Sequence, residues 1–160
     1  MHLAQFLTVF AAANQIFLVA VCAQAAKAPA ECPVTLPDRS TPPGEKPGPN
    51  YYGNGSLWTT LSTEGRVMFR SGGPGQIQSD GSMSMKFWWW RAVVGKLSMQ
   101  GRRLNAPAPP LRAHIPEGYG DTGFQVTSLI FPTEGCWEVV GKAGDAELKF
   151  VTLVSKTESK

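Results

Sequence analysis

The sequence predicts an all-β protein whose folded part is a single two-sheet sandwich of about seven strands. Apolar and polar residues alternate along several short segments, which is the pattern of strands with one buried face. Glycine and proline are abundant between these segments, and no stretch beyond the first residues carries a long helical period. A chain of 160 residues fits one such domain with appended segments.

Residues 1–25 have the pattern of a helical signal peptide. Residues 3–21 are mostly apolar, and residues 23–25 fit the small-x-small pattern of a cleavage site. A lipid anchor on Cys22 is an alternative, although Val21 is a poor fit where a small residue is expected. We therefore expect a secreted, periplasmic or otherwise extracytoplasmic protein with no membrane span after cleavage.

Residues 26–50 form a predicted arm or linker. They are rich in proline and poor in large apolar side chains, so they cannot bury a core of their own and favour extended conformations. Cys32 lies within this segment, which indicates an arm that is attached to the domain at one point.

The predicted β-sandwich domain spans residues 51–156. Its first five strands are predicted at residues 57–61, 66–70, 83–93, 96–104 and 124–131. The connection over residues 105–123 contains prolines at a density that excludes a central strand.

A hairpin over residues 131–154 completes the predicted domain. Trp137 and Val139 fall on one face of its first strand, and Cys136 falls on the other. Gly144 lies between the two strands and can adopt the positive φ that a tight turn needs. We expect Trp137 to be a central core residue, since its indole is the largest apolar side chain of the hairpin.

Cys32 and Cys136 remain after cleavage of the signal peptide. An even pair of cysteines in an exported protein predicts a disulfide. The chain-entropy model gives about 4–5 kcal/mol for closing a loop of roughly 100 residues. Two free thiols in a reducing compartment are the alternative.

The charge distribution argues against a nucleic-acid partner. The net charge is +3, and the basic residues are spread among the strands with no basic run or stripe. We read these side chains as solvated faces of the strands, and the sequence predicts no cofactor.

Catalytic groups are scarce in the sequence. His114 is the one histidine beyond the predicted signal peptide, and Ser128 or Ser98 with Asp121 could complete a triad. No nucleophile-elbow motif supports that reading, and a disulfide would remove Cys136 as a nucleophile. We therefore expect a protein that is not an enzyme.

Copper is the more specific of the metal hypotheses, because the sequence contains methionine and histidine, which are soft ligands of the kind that copper prefers. Met83 and Met85 nevertheless share a strand face with Phe87 and Trp89, which is typical of core-filling methionines. No spacing of ligands indicates zinc. The candidate copper ligands are Met68, Met83, Met85, Met99 and His114.

The strand at residues 83–93 also carries the main candidate for recognition. If Phe87 and Trp89 face the core, Trp88 and Trp90 form an aromatic strip on the outer face, with Lys86 beside them. An exposed strip would suit a sugar ring or a partner protein, whereas the arm could equally cover it. Candidate polar neighbours of the strip are Arg91, Arg103, Arg112, Tyr119 and Asp121.

Several segments of the domain resemble a family of exported bacterial proteins that has no assigned function. The segment Gly-Cys-Trp-Glu-Val at residues 135–139 is the most specific of them, and the likeness covers roughly residues 51–156. The other segments are residues 85–87, 89–91, 101–104, 106–113, 118–121 and 131–134. The resemblance implies an immunoglobulin-like sandwich in the bacterial cell envelope and transfers no catalytic residue.

The predicted function is therefore an exported, non-enzymatic protein with a binding or structural role in the envelope, whose partner is an unidentified protein or glycan. The alternatives are a copper carrier that uses methionine and histidine, and a glycan-binding module that uses the tryptophan strip.

Overall fold

The computed structural model describes residues 31–70 and 72–157. Within them ten strands form two sheets, and no helix that could span a membrane is found. The predicted all-β class is confirmed, while the predicted signal peptide lies outside the described residues. The strands are β1 (Tyr51–Gly53), β2 (Leu57–Thr60), β3 (Arg66–Phe69), β4 (Gln76–Ile77), β5 (Met83–Arg91), β6 (Ser98–Arg103), β7 (Arg112–His114), β8 (Gly123–Phe131), β9 (Gly135–Ala143) and β10 (Ala146–Lys156).

The count of about seven strands was too low for the described residues. The strands that the sequence did not reveal are β1, β4 and β7, which have two or three residues each. Segments this short cannot display an alternating pattern. β7 lies in the proline-rich connection as an edge strand paired with β8, so its prolines flank the pairing without interrupting a central strand.

The strands divide into two layers. Sheet 1 has the order β1-β2-β5-β8-β7, with the short β4 also paired to β5. Sheet 2 has the order β3-β10-β9-β6, in which β3 runs parallel to β10 and the other pairs are antiparallel. The long strands β5 and β8 pair over nine residues and form the centre of sheet 1.

The core lies between the inner faces of the two sheets and is largely aromatic. Phe87 of β5 stacks on Phe150 of β10 with ring centroids 5.8 Å apart, and Trp89 contacts the same ring at 6.3 Å. Trp137 of β9 is fully buried, meets Phe131 at 5.8 Å and donates its indole N–H to a backbone carbonyl. These contacts join both sheets into one core.

The predicted hairpin is formed by β9 and β10. Ala143 pairs with Ala146, so the turn contains Gly144 and Asp145, and Gly144 has a φ of 53°. A left-handed residue is what a two-residue hairpin turn of this kind requires. Trp137 faces the core, as expected from the alternation.

The arm, residues 31–50, crosses from sheet 2 to sheet 1. Cys32 is joined to Cys136 of β9, so the predicted disulfide is confirmed. Thr35 donates its backbone N–H to the carbonyl of Val151 at 2.8 Å, and its hydroxyl accepts the Val151 N–H at 2.9 Å. The arm therefore pairs with β10 ahead of the point where β3 begins.

The same edge of β10 is capped by side chains from β1 and from the turn that follows it. The Tyr52 hydroxyl donates to the carbonyl of Lys149 at 3.0 Å, and the Asn54 amide donates to the carbonyl of Glu147 at 2.8 Å. An uncovered strand edge can pair with another chain. The arm and β1 together close this edge and connect it to sheet 1.

Candidate functional site

The outer face of sheet 1 carries a concentration of aromatic side chains. Trp90 of β5 lies in register between Trp58 of β2 and Phe124 of β8. Trp88, two residues earlier on β5, lies opposite Val126. Because successive side chains alternate across a strand, all of these residues share the face that points away from the core.

The alternation along β5 separates two groups of large side chains. Phe87 and Trp89 are buried in the core, whereas Lys86 and Trp88 are exposed. Trp90 also points outward, yet it is only 6% exposed. Another part of the chain must therefore cover Trp90.

The arm provides that cover. The indole N–H of Trp90 donates to the Glu45 carboxylate at 2.9 Å. Tyr51, where the arm enters β1, meets the Trp90 ring edge-on with centroids 5.3 Å apart, and Phe124 packs on the other side at 5.2 Å. Arm and sheet thus enclose one indole of the predicted strip and leave the other open.

A groove of about 580 Å³ lies between the arm and this sheet face. Its sheet side consists of Thr60, Trp88, Trp90 and Phe124, and its arm side is formed by residues 45–51. Trp88 is 51% exposed and Phe124 is 43% exposed, so both rings are accessible from the groove. A mostly apolar cleft with few polar groups is the usual form of a ligand site.

The aromatic surface continues beyond the groove. Tyr119, which is 39% exposed, meets Phe124 edge-on with centroids 6.3 Å apart. Tyr119, Phe124, Trp90 and Tyr51 therefore form a row of rings whose neighbouring centroids are 5.2–6.3 Å apart. We call these four residues, together with Trp88, the aromatic row.

Asp38 ties the arm to β1. Its carboxylate accepts the N–H and the hydroxyl of Ser40 at 2.9 and 2.6 Å, and the Gly53 N–H at 3.4 Å. Burial alone would raise the pKa of Asp38, but these hydrogen bonds outweigh it and leave the pKa below its ordinary value. Burial, together with the nearby Asp38 charge, raises the pKa of Tyr52, so its hydroxyl stays protonated and can donate to β10.

Arg91 does not lie on the aromatic row. It is 4% exposed, and its guanidinium donates to the carbonyls of Gly95 at 2.7 Å, Gly120 at 2.5 Å and Asp121 at 3.2 Å. It therefore joins the loop after β5 to the loop before β8. Since Tyr119 adjoins Gly120 in that second loop, Arg91 fixes the loop that carries one end of the aromatic row.

The other predicted polar neighbours are distributed around the sheet. Arg91, Tyr119 and Asp121 line a second cleft of about 370 Å³, which lies beside the first residues of β8. Arg112 of β7 pairs with Asp80 at 3.2 Å, away from both clefts. Lys86 is exposed on the same face as Trp88.

Arg103 lies on sheet 2 and contacts the turn before β9. Its side chain donates to Asn105 at 2.9 Å and to the Thr133 hydroxyl at 3.3 Å. It is therefore not a neighbour of the tryptophan strip.

The candidate triad residues do not form a triad in this structure. His114 lies opposite Ser128 in the β7–β8 register, and no hydrogen bond joins their side chains. Asp121 lies just before the first residue of β8, and Ser98 belongs to sheet 2.

The candidate copper ligands are spread over both sheets. Met83 is fully buried in the core, whereas Met68 is exposed on the outer face of sheet 2. Met99 lies on β6, and His114 lies on the outer edge of sheet 1. Among residues 31–70 and 72–157, no three or more His, Cys, Asp or Glu side chains cluster as metal ligands would.

The groove residues that the sequence did not indicate include Phe124, Glu45 and Tyr51. Phe124 is the first residue of a predicted strand. Once that strand is paired with β5, Phe124 lies opposite Trp90, so its side chain also points to the outer face. Glu45 and Tyr51 gave no local signal, since their role depends on where the arm returns to the sheet.

Comparison with known proteins assigns no family to this chain. No protein-family model, curated protein or solved structure matches it. The resemblance to an uncharacterised exported family stays a prediction.

Proposed function

We propose that this protein is an exported, non-enzymatic binding module of the bacterial cell envelope, and that the groove beside Trp88 is its recognition site. The immunoglobulin-like type and the envelope location belong to this proposal. The observation that carries it is the exposure of Trp88: it is 51% exposed, whereas Trp58, Trp89, Trp90 and Trp137 are each 6% exposed or less.

The contrast between Trp88 and Trp90 supports recognition. Both indoles point to the same side of β5, and both line the groove whose other wall is the arm. Trp90 is nevertheless buried against Glu45, Tyr51 and Phe124, whereas half of Trp88 is open beside a groove. Large apolar side chains grouped on a surface mark interaction sites, and tryptophan is enriched among the residues that dominate binding energy.

The disulfide supports an oxidising compartment. A Cys32–Cys136 bond persists outside the reducing cytosol, which is consistent with an exported protein. The arm that forms one wall of the groove is attached through this bond at one end and through β1 at the other. The site therefore depends on the oxidised form of the chain.

Co-sedimentation with a bacterial envelope fraction tests the proposal. Wild-type protein should sediment with the fraction, and Trp88→Ala should weaken this about tenfold or more, because an anchoring aromatic contributes over about 1.4 kcal/mol to binding. Met68→Ala is the matched control, since Met68 is similarly exposed at 49% but lies on the other sheet. Equal sedimentation of wild type and Trp88→Ala would refute the groove as the site.

Glycan binding is the second candidate, because an exposed indole can stack on a sugar ring and the Thr60 hydroxyl lines the same groove. It predicts that soluble cell-wall oligosaccharides release the protein from the envelope fraction. The copper alternative predicts tight Cu(I) binding that Met83→Leu weakens; no geometric feature of the described residues favours it.

A further inference from the structure

A buried guanidinium without an acidic partner lies at the end of β5. Arg91 is 4% exposed, and its terminal nitrogens donate to three backbone carbonyls. Among residues 31–70 and 72–157, its Nε–H has no hydrogen-bond partner and no carboxylate lies within ion-pair distance of it. Residues 1–30 contain no aspartate or glutamate. Because carbonyls do not neutralise a charge and buried charges are usually paired, Arg91 is suited to bind an anion.

A second buried polar atom lies on the same wall of the second cleft. Gln125 is 6% exposed, its amide N–H donates to the carbonyl of Pro116 at 3.1 Å, and its Oε1 has no hydrogen-bond partner in the described part of the chain. Arg91 and Gln125 both line the cleft of about 370 Å³. Gln125 lies opposite Trp89 in the β5–β8 register and is therefore a diagonal neighbour of Arg91, within reach of long side chains. This wall offers one charged donor and one neutral acceptor.

The rim of this cleft carries one base and two acids. Lys96, Glu117 and Asp121 line it and are exposed. Within the part of the chain that the structure describes, none of the three forms an ion pair. With Arg91, the lining therefore holds two positive and two negative side chains. A ligand of one sign would meet like charges here, whereas a zwitterion can match both signs.

The other side chains of the lining are apolar or aromatic. Leu97 is buried, Ile115 and Pro116 are half-buried, and Tyr119 is exposed. An apolar substituent can pack on these side chains while polar groups of the ligand contact the charged wall. The volume lies near the lower end of the range of about 300–1,000 Å³ that is typical of small-molecule pockets, so the cleft suits a small ligand.

We propose that this cleft is a second binding site, which takes a free apolar α-amino acid. Arg91 Nε–H donates to the ligand's carboxylate. The ligand's ammonium group donates to Gln125 Oε1 and is attracted by Glu117 and Asp121, and its side chain packs on the apolar part of the lining. The site does not rest on the proposed function, because this cleft and the groove beside Trp88 share no lining residue.

Binding requires a movement of the loop over residues 115–121, because Arg91 Nε and Gln125 Oε1 are buried. Arg91 holds this loop by donating to the carbonyl of Gly120. An arriving carboxylate can replace that carbonyl as the acceptor, which releases the loop. Gly118 and Gly120 flank Tyr119, and glycine gives the backbone the freedom that such a movement needs.

Titration with racemic leucine, followed by NMR of the Arg91 Nε–H signal, tests the assignment. The signal should shift to saturation. Two matched compounds, 4-methylpentanoate without the ammonium and 3-methylbutylamine without the carboxylate, should each bind about tenfold more weakly or less, because each loses a charged hydrogen bond. Glu117→Gln combined with Asp121→Asn should weaken leucine binding to a similar extent. Both acids are exposed, so this variant should fold, and Met68→Ala should bind leucine like wild type.

Three results would overturn this assignment. If the Arg91 signal does not shift at tens of millimolar leucine, ordered water alone satisfies the two buried atoms. If 4-methylpentanoate binds as tightly as leucine, the cleft is an anion site and the ligand class is wrong. If the variant without the two acids binds leucine like wild type, these acids do not hold the ammonium group. Each result leaves the groove beside Trp88 untouched, because binding to the envelope fraction is measured separately.

Discussion

Alanine substitution of two adjacent outward tryptophans should affect stability very differently. Trp90→Ala removes a side chain that is 6% exposed and packs on Tyr51 and Phe124, and it also breaks the hydrogen bond to Glu45. Buried Trp→Ala substitutions cost about 3–5 kcal/mol. Trp88→Ala removes a side chain that is already half exposed, so we expect a loss of about 1–2 kcal/mol.

Urea unfolding followed by far-UV circular dichroism measures both losses without relying on indole fluorescence. Glu45→Ala is a third variant that breaks the arm contact alone, and it should cost about 1 kcal/mol. A loss for Trp90→Ala no larger than that for Trp88→Ala would show that the arm does not cover Trp90. Such a result would contradict the groove, since the arm is one of its walls.

Three further perturbations test the attachments of the arm and the loops. Replacing Cys32 and Cys136 together with serine should lower the unfolding free energy by about 4–5 kcal/mol. Thiol titration of the wild-type chain without residues 1–25 should find no free thiol until it is reduced, and two reactive cysteines without reductant would contradict the disulfide. Arg91→Ala should cost about 1.5–3 kcal/mol or more, because backbone carbonyls lose a charged donor, and an unchanged urea midpoint would contradict that role. The lowered pKa of Asp38 means that its contribution is present above the unfolded pKa and is lost as the pH falls through the lower folded value. Wild type should therefore lose more stability than Asp38→Ala between pH 6 and pH 3, and equal losses would argue against the tie to β1.

The alternation of residues along the long strands predicted well which side chains point into the core and which point outward. Period-two alternation is a local property of the backbone, so β5 and the β9–β10 hairpin could be read directly from the sequence. Trp89 and Trp137 are both fully buried in the core, as expected. The disulfide also followed from the cysteine count.

Coverage of the outer face could not be predicted in the same way. Trp90 and Trp88 point to the same face of β5, but Trp90 is covered in part by Glu45, which is 45 residues away from it in the chain. The path of a proline-rich arm depends on where it is attached at both ends, and neither attachment is encoded in an alternating pattern. From the sequence, the strip of Trp88 and Trp90 could be either covered by the arm or exposed. In the structure Trp90 is covered and Trp88 is exposed.

Arg91 illustrates a second limit. Arg91 alternates with Trp88 and Trp90 along β5, so its side chain points to the inner side of the strand, like those of Phe87 and Trp89. The alternation therefore disfavours Arg91 as a neighbour of the two outward indoles. The sequence could not indicate its partners, because they are backbone carbonyls of two loops. Short strands such as β4 and β7 escaped prediction because their pairing is decided by the neighbouring long strands.

Oxidative footprinting of the five indoles, read residue by residue by mass spectrometry, tests the central claim most directly. In the oxidised native protein Trp88 should be modified first, with Trp58, Trp89, Trp90 and Trp137 protected until unfolding, and a bound ligand should protect Trp88 as well. Modification of Trp90 as fast as Trp88 would contradict the arm-walled groove. So would a Trp88 that is protected in the free monomer.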